Sequence, residues 1–236
     1  MTKGSEKLAI PKQIGHIWIG DLKPPLEWMQ SWRDKHPDWT YTLYDNEYLT
    51  ARKWRLQQLL VEFFKRRMFA GVSDIMRYEL LYERGGFLPE ADSICLRPTD
   101  ELFGVPTIYS VHENEIHKPG SMSPFLASIP QHPTLELVMQ AILDKYDPSA
   151  AHFKPPWRSV GNIFLRRLHG RTNFEVHLFP SSYFIPNFKR PTGDTINGPV
   201  YADQLWGSTK SIYEKFDEEK TKEIYGSVLD KLNSWL

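Results

Sequence analysis

A helical pattern ends at Gly85-Gly86 and passes without a linker into the apolar pair Phe87-Leu88. That junction constrains the fold more than any other stretch. Glycine ends helices in conformations closed to other residues, so the chain turns at once into a strand lying beside the helix it has just left. The same alternation precedes the junction. Gln13 to Gly20 (QIGHIWIG) reads as a first buried strand. Pro24-Pro25 breaks the chain, and Leu26 to Lys35 reads as a short helix stopped before Pro37. Trp39 to Tyr44 alternates as a half-buried strand and ends at the turn signal Asp45-Asn46. Strands alternating with helices predict an α/β sandwich with a largely parallel sheet.

Between these strands, Arg52 to Ala70 reads as one cationic helix with Leu59, Leu60, Phe63 and Phe64 as its apolar face, closed by Gly71. Ser73 then reads as the cap of a second helix, Asp74 to Arg84. Short strands are predicted around Phe87-Leu88, Ile94-Cys95-Leu96 and Thr107 to Val111. Beyond residue 112 the pattern changes. His112 to Pro124 and Ala151 to Pro156 read as polar loops, Thr134 to Tyr146 and Asn162 to Leu168 as helices, and Val176 to Phe179 as a strand. Residues 181–209 carry no regular period, and Glu214 to Leu236 reads as a charged helix packed on the outside. The expectation is one domain over 1–236: a ligand-binding half at about 10–111, a more variable half at about 112–209 and a terminal helix at 210–236.

Lys+Arg and Asp+Glu both number 29, which argues against a general nucleic-acid binder. The single cysteine, Cys95, permits no internal disulfide, and in the run Ile94-Cys95-Leu96 it reads as a buried structural thiol in a reducing compartment. Neither a signal-like apolar start nor a run of about 18 apolar residues is present. A cytoplasmic setting is expected, with the inner face of a membrane as its peripheral variant. Eight Trp, eleven Tyr and thirteen Phe are many for 236 residues. They serve either as large core side chains or as stacking platforms for sugars and bases.

Chemistry concentrates in Ser73 to Asp92, SDIMRYELLYERGGFLPEAD. Asp74 and Arg77, three apart, share a helix face. That face lies in the first turn, near the helix N-terminus, where partial positive charge and free N–H groups suit an anion. Glu90 and Asp92 follow the next strand at its carboxyl end, where open α/β sheets bind ligands. Two carboxylates one residue apart make a short oxygen clamp for a hard dication shared with phosphate. Each piece also has a plain reading. Asp74 serves as a helix-dipole partner, Arg77 as a surface ion pair, and acidic turns are common.

In this order the run resembles the A/S-D-x-x-R-Y-x-x-L-Y-x-x-G-G-x-Y-x-D-x-D signature of DXD-containing sugar transferases. These include yeast initiating mannosyltransferases, bacterial capsule glycosyltransferases and, more distantly, clostridial toxin glucosyltransferases. Ile10 to Gly20 is similar to the family's first strand, I-P-K-x-I-H-x-I-W-x-G, and Ser31 to Tyr41 to its S-W-x-x-x-N-P-x-x-x-Y segment. Pro130 to Pro133 resembles its P-x-H-P turn. Tyr183 to Pro186 and Tyr201 to Ser208 resemble its closing F-x-P and A-x-H-x-W blocks. The resemblance covers about residues 10–209.

It implies a GT-A fold, a UDP- or GDP-sugar donor, a glycan or lipid-linked glycan acceptor, and transfer of a hexose with retention, as in polysaccharide biosynthesis. It also implies Mn²⁺ or Mg²⁺ held by Glu90, Asp92 and Gln204. Arg77 and Asp74 fall at catalytic positions. Ile17, Trp18, Gly86 and Trp206 join Asp74, Arg77, Glu90, Asp92 and Gln204 as donor-binding positions, with Trp18 at the base. Four positions depart from the pattern. Glu90 replaces the first Asp, Leu88-Pro89 the preceding Tyr-x, Gln204 the closing His, and Gly15 the first-strand His, with His16 one place on.

No histidine pair has zinc-binding spacing, and His112, His117, His132 and His152 fall in stretches read as polar loops. Two other functions compete. Glu90 and Gln204 fit a catalytically weak relative that only binds nucleotide sugar or glycan. Lys65-Arg66-Arg67, Arg166-Arg167 and Lys189-Arg190 would be the basic groove of an enzyme adding sugar to nucleic-acid bases.

Overall fold

A computed structural model describes residues 8–147, 153–187 and 198–236. The first elements fall where the sequence puts them: β1 (Gln13–Ile17), α1 (Leu26–Lys35) and β2 (Thr40–Tyr44). The short α2 (Asn46–Thr50) follows, with the Asp45 side chain accepting from the Tyr48 N–H. The cationic stretch is not one helix. It divides into α3 (Gln57–Lys65) and α4 (Phe69–Arg84), with Arg67 at φ 54° in the break. Gly71 therefore does not end a helix. It lies in the first turn of α4, where a Cβ would come 2.6 Å from the Phe63 ring, and its missing side chain lets α3 and α4 cross closely.

At the junction, Gly85 (φ 65°) and Gly86 (φ 92°) turn α4 into β3 (Gly86–Leu88). A Cβ on Gly86 would lie 2.4 Å from the Gln13 carbonyl oxygen, so glycine is required for β3 to reach β1. β4 (Ser93–Cys95) follows.

The predicted polar loop at 112–124 is instead a hairpin of β5 (Ile108–Asn114) and β6 (Lys118–Ser128). The Asn114 side chain accepts from the N–H groups of Ile116 and His117 to make its turn. Glu113, Asn114, Ser121 and Ser123 are polar but buried, and polarity alone read as solvent exposure. There follow α5 (Pro133–Leu143), α6 (Pro156–Ser159), α7 (Asn162–Thr172), β7 (His177–Phe179), β8 (Ala202–Gln204), α8 (Gly207–Lys210) and α9 (Glu218–Asn233). α9 is not purely external, since Val228 and Leu232 enter the core. Among the described residues no helix is long and apolar enough to cross a membrane.

One sheet of order β2-β1-β3-β6-β5-β7 joins strands from both halves of the chain. β1 is parallel to β2 and β3, and β5 to β7, while β6 pairs antiparallel with β3 and β5. The sheet is thus mainly parallel, with β6 alone reversed. Both faces are covered, as such sheets require, and alternate residues serve each. Leu88, Ile108 and Leu126 meet α3, α4, α5, α7 and α9 on one side. Phe87, Tyr109 and Phe125 meet Trp32, Phe103 and Phe184 on the other. Cys95 is buried, and burial pushes its thiol up to about 12. A separate two-stranded ribbon, β4 with β8, stands at the carboxyl end of β3.

Candidate active site

A cleft of about 530 Å³ opens at that end of the sheet. Its walls include Ile17 and Trp18 at the end of β1, Ser73, Asp74, Arg77 and Tyr78 of α4, Glu90 and Asp92 after β3, and Gln204 and Trp206 at β8. A larger groove of about 1110 Å³ between α9, α2 and the 20–24 loop shares Trp18 and Leu22 with it. That groove gathers none of Asp74, Arg77, Glu90 and Asp92, so the smaller cleft is the candidate site on chemical grounds.

Arg77 is the centre of the constellation. It is only 4% exposed, and its guanidinium donates to Asp74 Oδ1 at 2.9 Å and to Glu90 Oε1 at 2.5 Å. It therefore joins two carboxylates 16 residues apart that the β3 turn has brought together. Since α4 begins at Phe69 and not at Ser73, Asp74 and Arg77 sit in its body. The expected anion site at that helix's first turn does not exist at these residues. Ser73 caps nothing and lines the cleft instead.

The electrostatics are those of an acid cluster with too little cationic charge. Burial, opposed by Arg77, pushes Asp74 up to about 6. Burial also pushes Glu90 up to about 7, with Arg77 opposing it and Asp92 and Asp74 adding to the rise. Asp92 is tied to the chain's far end. Its Oδ1 accepts from Gln204 Nε2 and its Oδ2 from the Gly207 N–H at 2.9 Å. Its own carbonyl accepts from Leu205 N–H at 2.8 Å. Register does this, since β4 and β8 pair Ser93 with Gln204 and so set Gln204 beside Asp92.

Among the described residues no three His, Cys, Asp or Glu form a metal-holding group. The oxygens of Glu90, Asp92 and Gln204 nevertheless fit a hard dication in chemical type. Gln204 Oε1 is buried without a partner, as is Arg77 Nε, and both line the cleft. Buried groups of that kind are normally satisfied, by a ligand where not by protein.

Trp18 lines the same cleft. Its indole N–H donates to the Leu22 carbonyl at 2.8 Å, and its ring meets Tyr213 edge-on with centroids 4.8 Å apart. Gly86 is the one expected donor-binding position that is not part of the cleft wall. It lies at the start of β3 against Gln13, and its role is in the backbone.

Among the residues that escaped the sequence reading are Gly161, Asn162 and Glu113. Gly161, just before α7, is where a Cβ would come 2.8 Å from Asp74 Oδ2. Asn162 donates to Glu113 Oε2 at 3.0 Å, and Lys118 also donates to Glu113. All but Lys118 line the cleft. The isolated Asn114 turn signal was the one local clue, because a hairpin there carries Glu113 inward. Of the histidines, His132 caps α5 by accepting from Thr134 N–H, while His152 lies outside the described residues. Of the three basic stretches, Lys65 and Arg66 pair with Glu62, and Arg67 with Asp21. Lys189-Arg190 lies outside the described residues.

Comparison with known proteins fits this geometry. Residues 26–108, from α1 through the Glu90-Ala-Asp92 turn to the start of β5, match the family model described as glycosyltransferase sugar-binding region containing DXD motif. Inositol phosphoceramide mannosyltransferase 2 of Schizosaccharomyces pombe is 29% identical over 137 residues, 56% of this chain and 38% of that protein. The chain thus matches well under half the length of this curated relative. Among solved structures, PaToxG glycosyltransferase shares the fold with a TM-score of 0.53 at 13% identity, covering 71% of each chain. The fold is of the GT-A type, and over residues 26–108 the chain resembles the DXD-containing sugar transferases in sequence.

Proposed function

We propose that this chain, carrying a DXD-type sugar-binding region on a GT-A fold, is a glycosyltransferase that moves a hexose from a UDP- or GDP-sugar to a hydroxyl acceptor. The observation that carries the reading is the convergence of Arg77, Glu90, Asp92 and Gln204 from three segments on one cleft whose wall also carries Trp18. A nucleotide-diphosphate sugar presents the matching groups: a flat base, charge and a polyhydroxyl ring.

In the reaction the acceptor oxygen bonds to the anomeric carbon, the bond from that carbon to the phosphate oxygen breaks, and the nucleoside diphosphate leaves as the acceptor releases its proton. Arg77 presents fixed positive charge toward the leaving group, and Asp74 and Glu90 hold its guanidinium in place, the kind of preorganised charge that accelerates such steps. Asp74 Oδ2 offers an acceptor to a sugar hydroxyl. Trp18 offers a ring for stacking. Glu90, Asp92 and Gln204 would hold Mn²⁺ or Mg²⁺, which when bound offsets phosphate charge. Retention of configuration rests on the family resemblance alone.

Because the curated relative is named a mannosyltransferase, mannosyl nucleotides are the first donors to test, and inositol phosphoceramide the first lipid acceptor. One specific observation favours a second reading, a binder that does not turn donor over. Both carboxylates of the Glu90-Ala-Asp92 turn already have protein partners. Donor hydrolysis across UDP- and GDP-sugars, with Mn²⁺ and again with EDTA, separates the two. Metal-dependent release of nucleoside diphosphate supports the enzyme. Binding without release under every condition supports the binder, and neither binding nor release overturns both.

A further inference from the structure

Of the eight tryptophans, Trp157 alone is exposed, with half of its surface open. It is nevertheless one wall of the candidate cleft. Its position along the cleft is fixed by Gly161: a Cβ there would fall 2.8 Å from Asp74 Oδ2 and 3.0 Å from the Trp157 Cα. The Trp157 backbone therefore lies beside the Asp74 carboxylate.

The turn that carries it is rigid. Pro155 and Pro156 limit the backbone, and the carbonyl of Pro156 accepts from both Val160 and Gly161 N–H at 2.9 Å. The buried Tyr78 hydroxyl, on the residue after Arg77, donates to the Val160 carbonyl at 2.6 Å. Close by in sequence, Asn162 holds the buried carboxylate of Glu113, which also lines the cleft. Glu113 has two protein donors, Asn162 and Lys118, and a carboxylate has room for about four. The Arg158 guanidinium lies over one face of the Trp157 ring, 5.4 Å from its centroid. The half-exposed ring on this turn, with a carboxylate on the same cleft, matches the two sides of a pyranose: an apolar C–H face and a rim of hydroxyls.

We propose that Trp157 and Glu113 form the acceptor subsite and that the acceptor is a pyranoside, its ring lying on Trp157 and one hydroxyl bonding to Glu113. This rests on the glycosyltransferase reading for its role, while binding of the pyranoside can be measured without turnover. Methyl α-pyranosides of mannose, glucose and galactose serve as probes. They are titrated by ligand-observed NMR into the wild type and into Trp157→Ala, Trp157→Phe and Glu113→Gln, and are then used as acceptors with the best donor.

The expected result is saturable binding to the wild type that weakens about tenfold in Trp157→Ala and recovers in part in Trp157→Phe. The acceptor KM rises in parallel, and a larger share of donor is lost to water. Folding of each variant is checked by thermal melting, and the Phe variant keeps the test valid if the Ala variant is unstable. If the wild type hydrolyses donor and Trp157→Ala and Glu113→Gln keep its acceptor KM, the subsite is wrong and the enzyme reading survives. If pyranosides bind through Trp157 but no donor is turned over, the subsite survives and the enzyme reading fails. If no pyranoside binds the wild type, the subsite is overturned.

Discussion

Replacing Arg77 by lysine keeps the charge and removes the fork, which makes it the sharpest test of the site. The guanidinium spans Asp74 Oδ1 at 2.9 Å and Glu90 Oε1 at 2.5 Å, with side-chain exposures of 5% for Arg77, 13% for Asp74 and 21% for Glu90. An ammonium is a point charge and cannot make both contacts in that geometry. One charge-assisted hydrogen bond is lost, with a contribution of about 1.5–3 kcal/mol. For a chain of this size, a loss of about 2 kcal/mol lowers the melting temperature by roughly 4–8 °C. If Arg77 also faces charge that develops on the leaving phosphate, turnover falls by a further factor of about 100 or more. Calorimetric melting and donor turnover are measured on the same variant. An unchanged melting temperature would refute the reasoning that the fork holds the site together. A lowered melting temperature with native turnover would leave Arg77 in the scaffold and remove it from the chemistry.

Gly161→Ala should force the α6–α7 turn away from Asp74, at a cost of about 1–3 kcal/mol, with weaker donor binding by calorimetry; native stability and binding would show that the turn moves freely. Glu90→Asp shortens the reach to Arg77 and should lower stability in urea titration, although it restores the family's usual residue; an equal or higher unfolding midpoint would contradict the ion pair. His16 is fully buried, and burial, helped by Arg77, lowers it from 6.5 to about 3. Its neutral ring keeps the fold at full stability above about pH 6.5, and stability is lost as pH falls toward 3. At pH 5 the loss is about 2 kcal/mol, so His16→Gln should show a shallower drop in urea stability between pH 7 and pH 5 than the wild type.

The sequence made β1, α1, β2 and β3 legible because their signals are local: period, proline breaks, and the Gly85-Gly86 junction. The α3–α4 break was not, since Arg66-Arg67-Met68 are all good helix formers and Gly71 reads as a stop. Its actual reason, room for the Phe63 ring, is a contact between two helices. The hairpin β5–β6 misled for a different reason. Polar residues on strands usually face water, and here Glu113 and Ser123 face a cleft inside the protein. β8 has three residues and no period of its own, so it exists through its pairing with β4.

The same distinction governs the site. Glu90 and Asp92 are separated in sequence by Ala91 alone and were readable as a pair. Gln204 was reached only through a motif, because 112 residues separate it from Asp92. Gly161, Asn162 and Glu113 carry no motif and enter through tertiary contact alone. This division follows the physics of the cleft. The side that carries Glu90 and Asp92 is built from charges at fixed spacing on one turn, which leaves a mark in the sequence. The opposite wall needs only a close approach to Asp74, and any turn that brings a glycine there will serve. A wall so loosely prescribed is free to vary in the residues it presents, which is why this side of the cleft became readable only through Trp157, Gly161 and Glu113 in three dimensions.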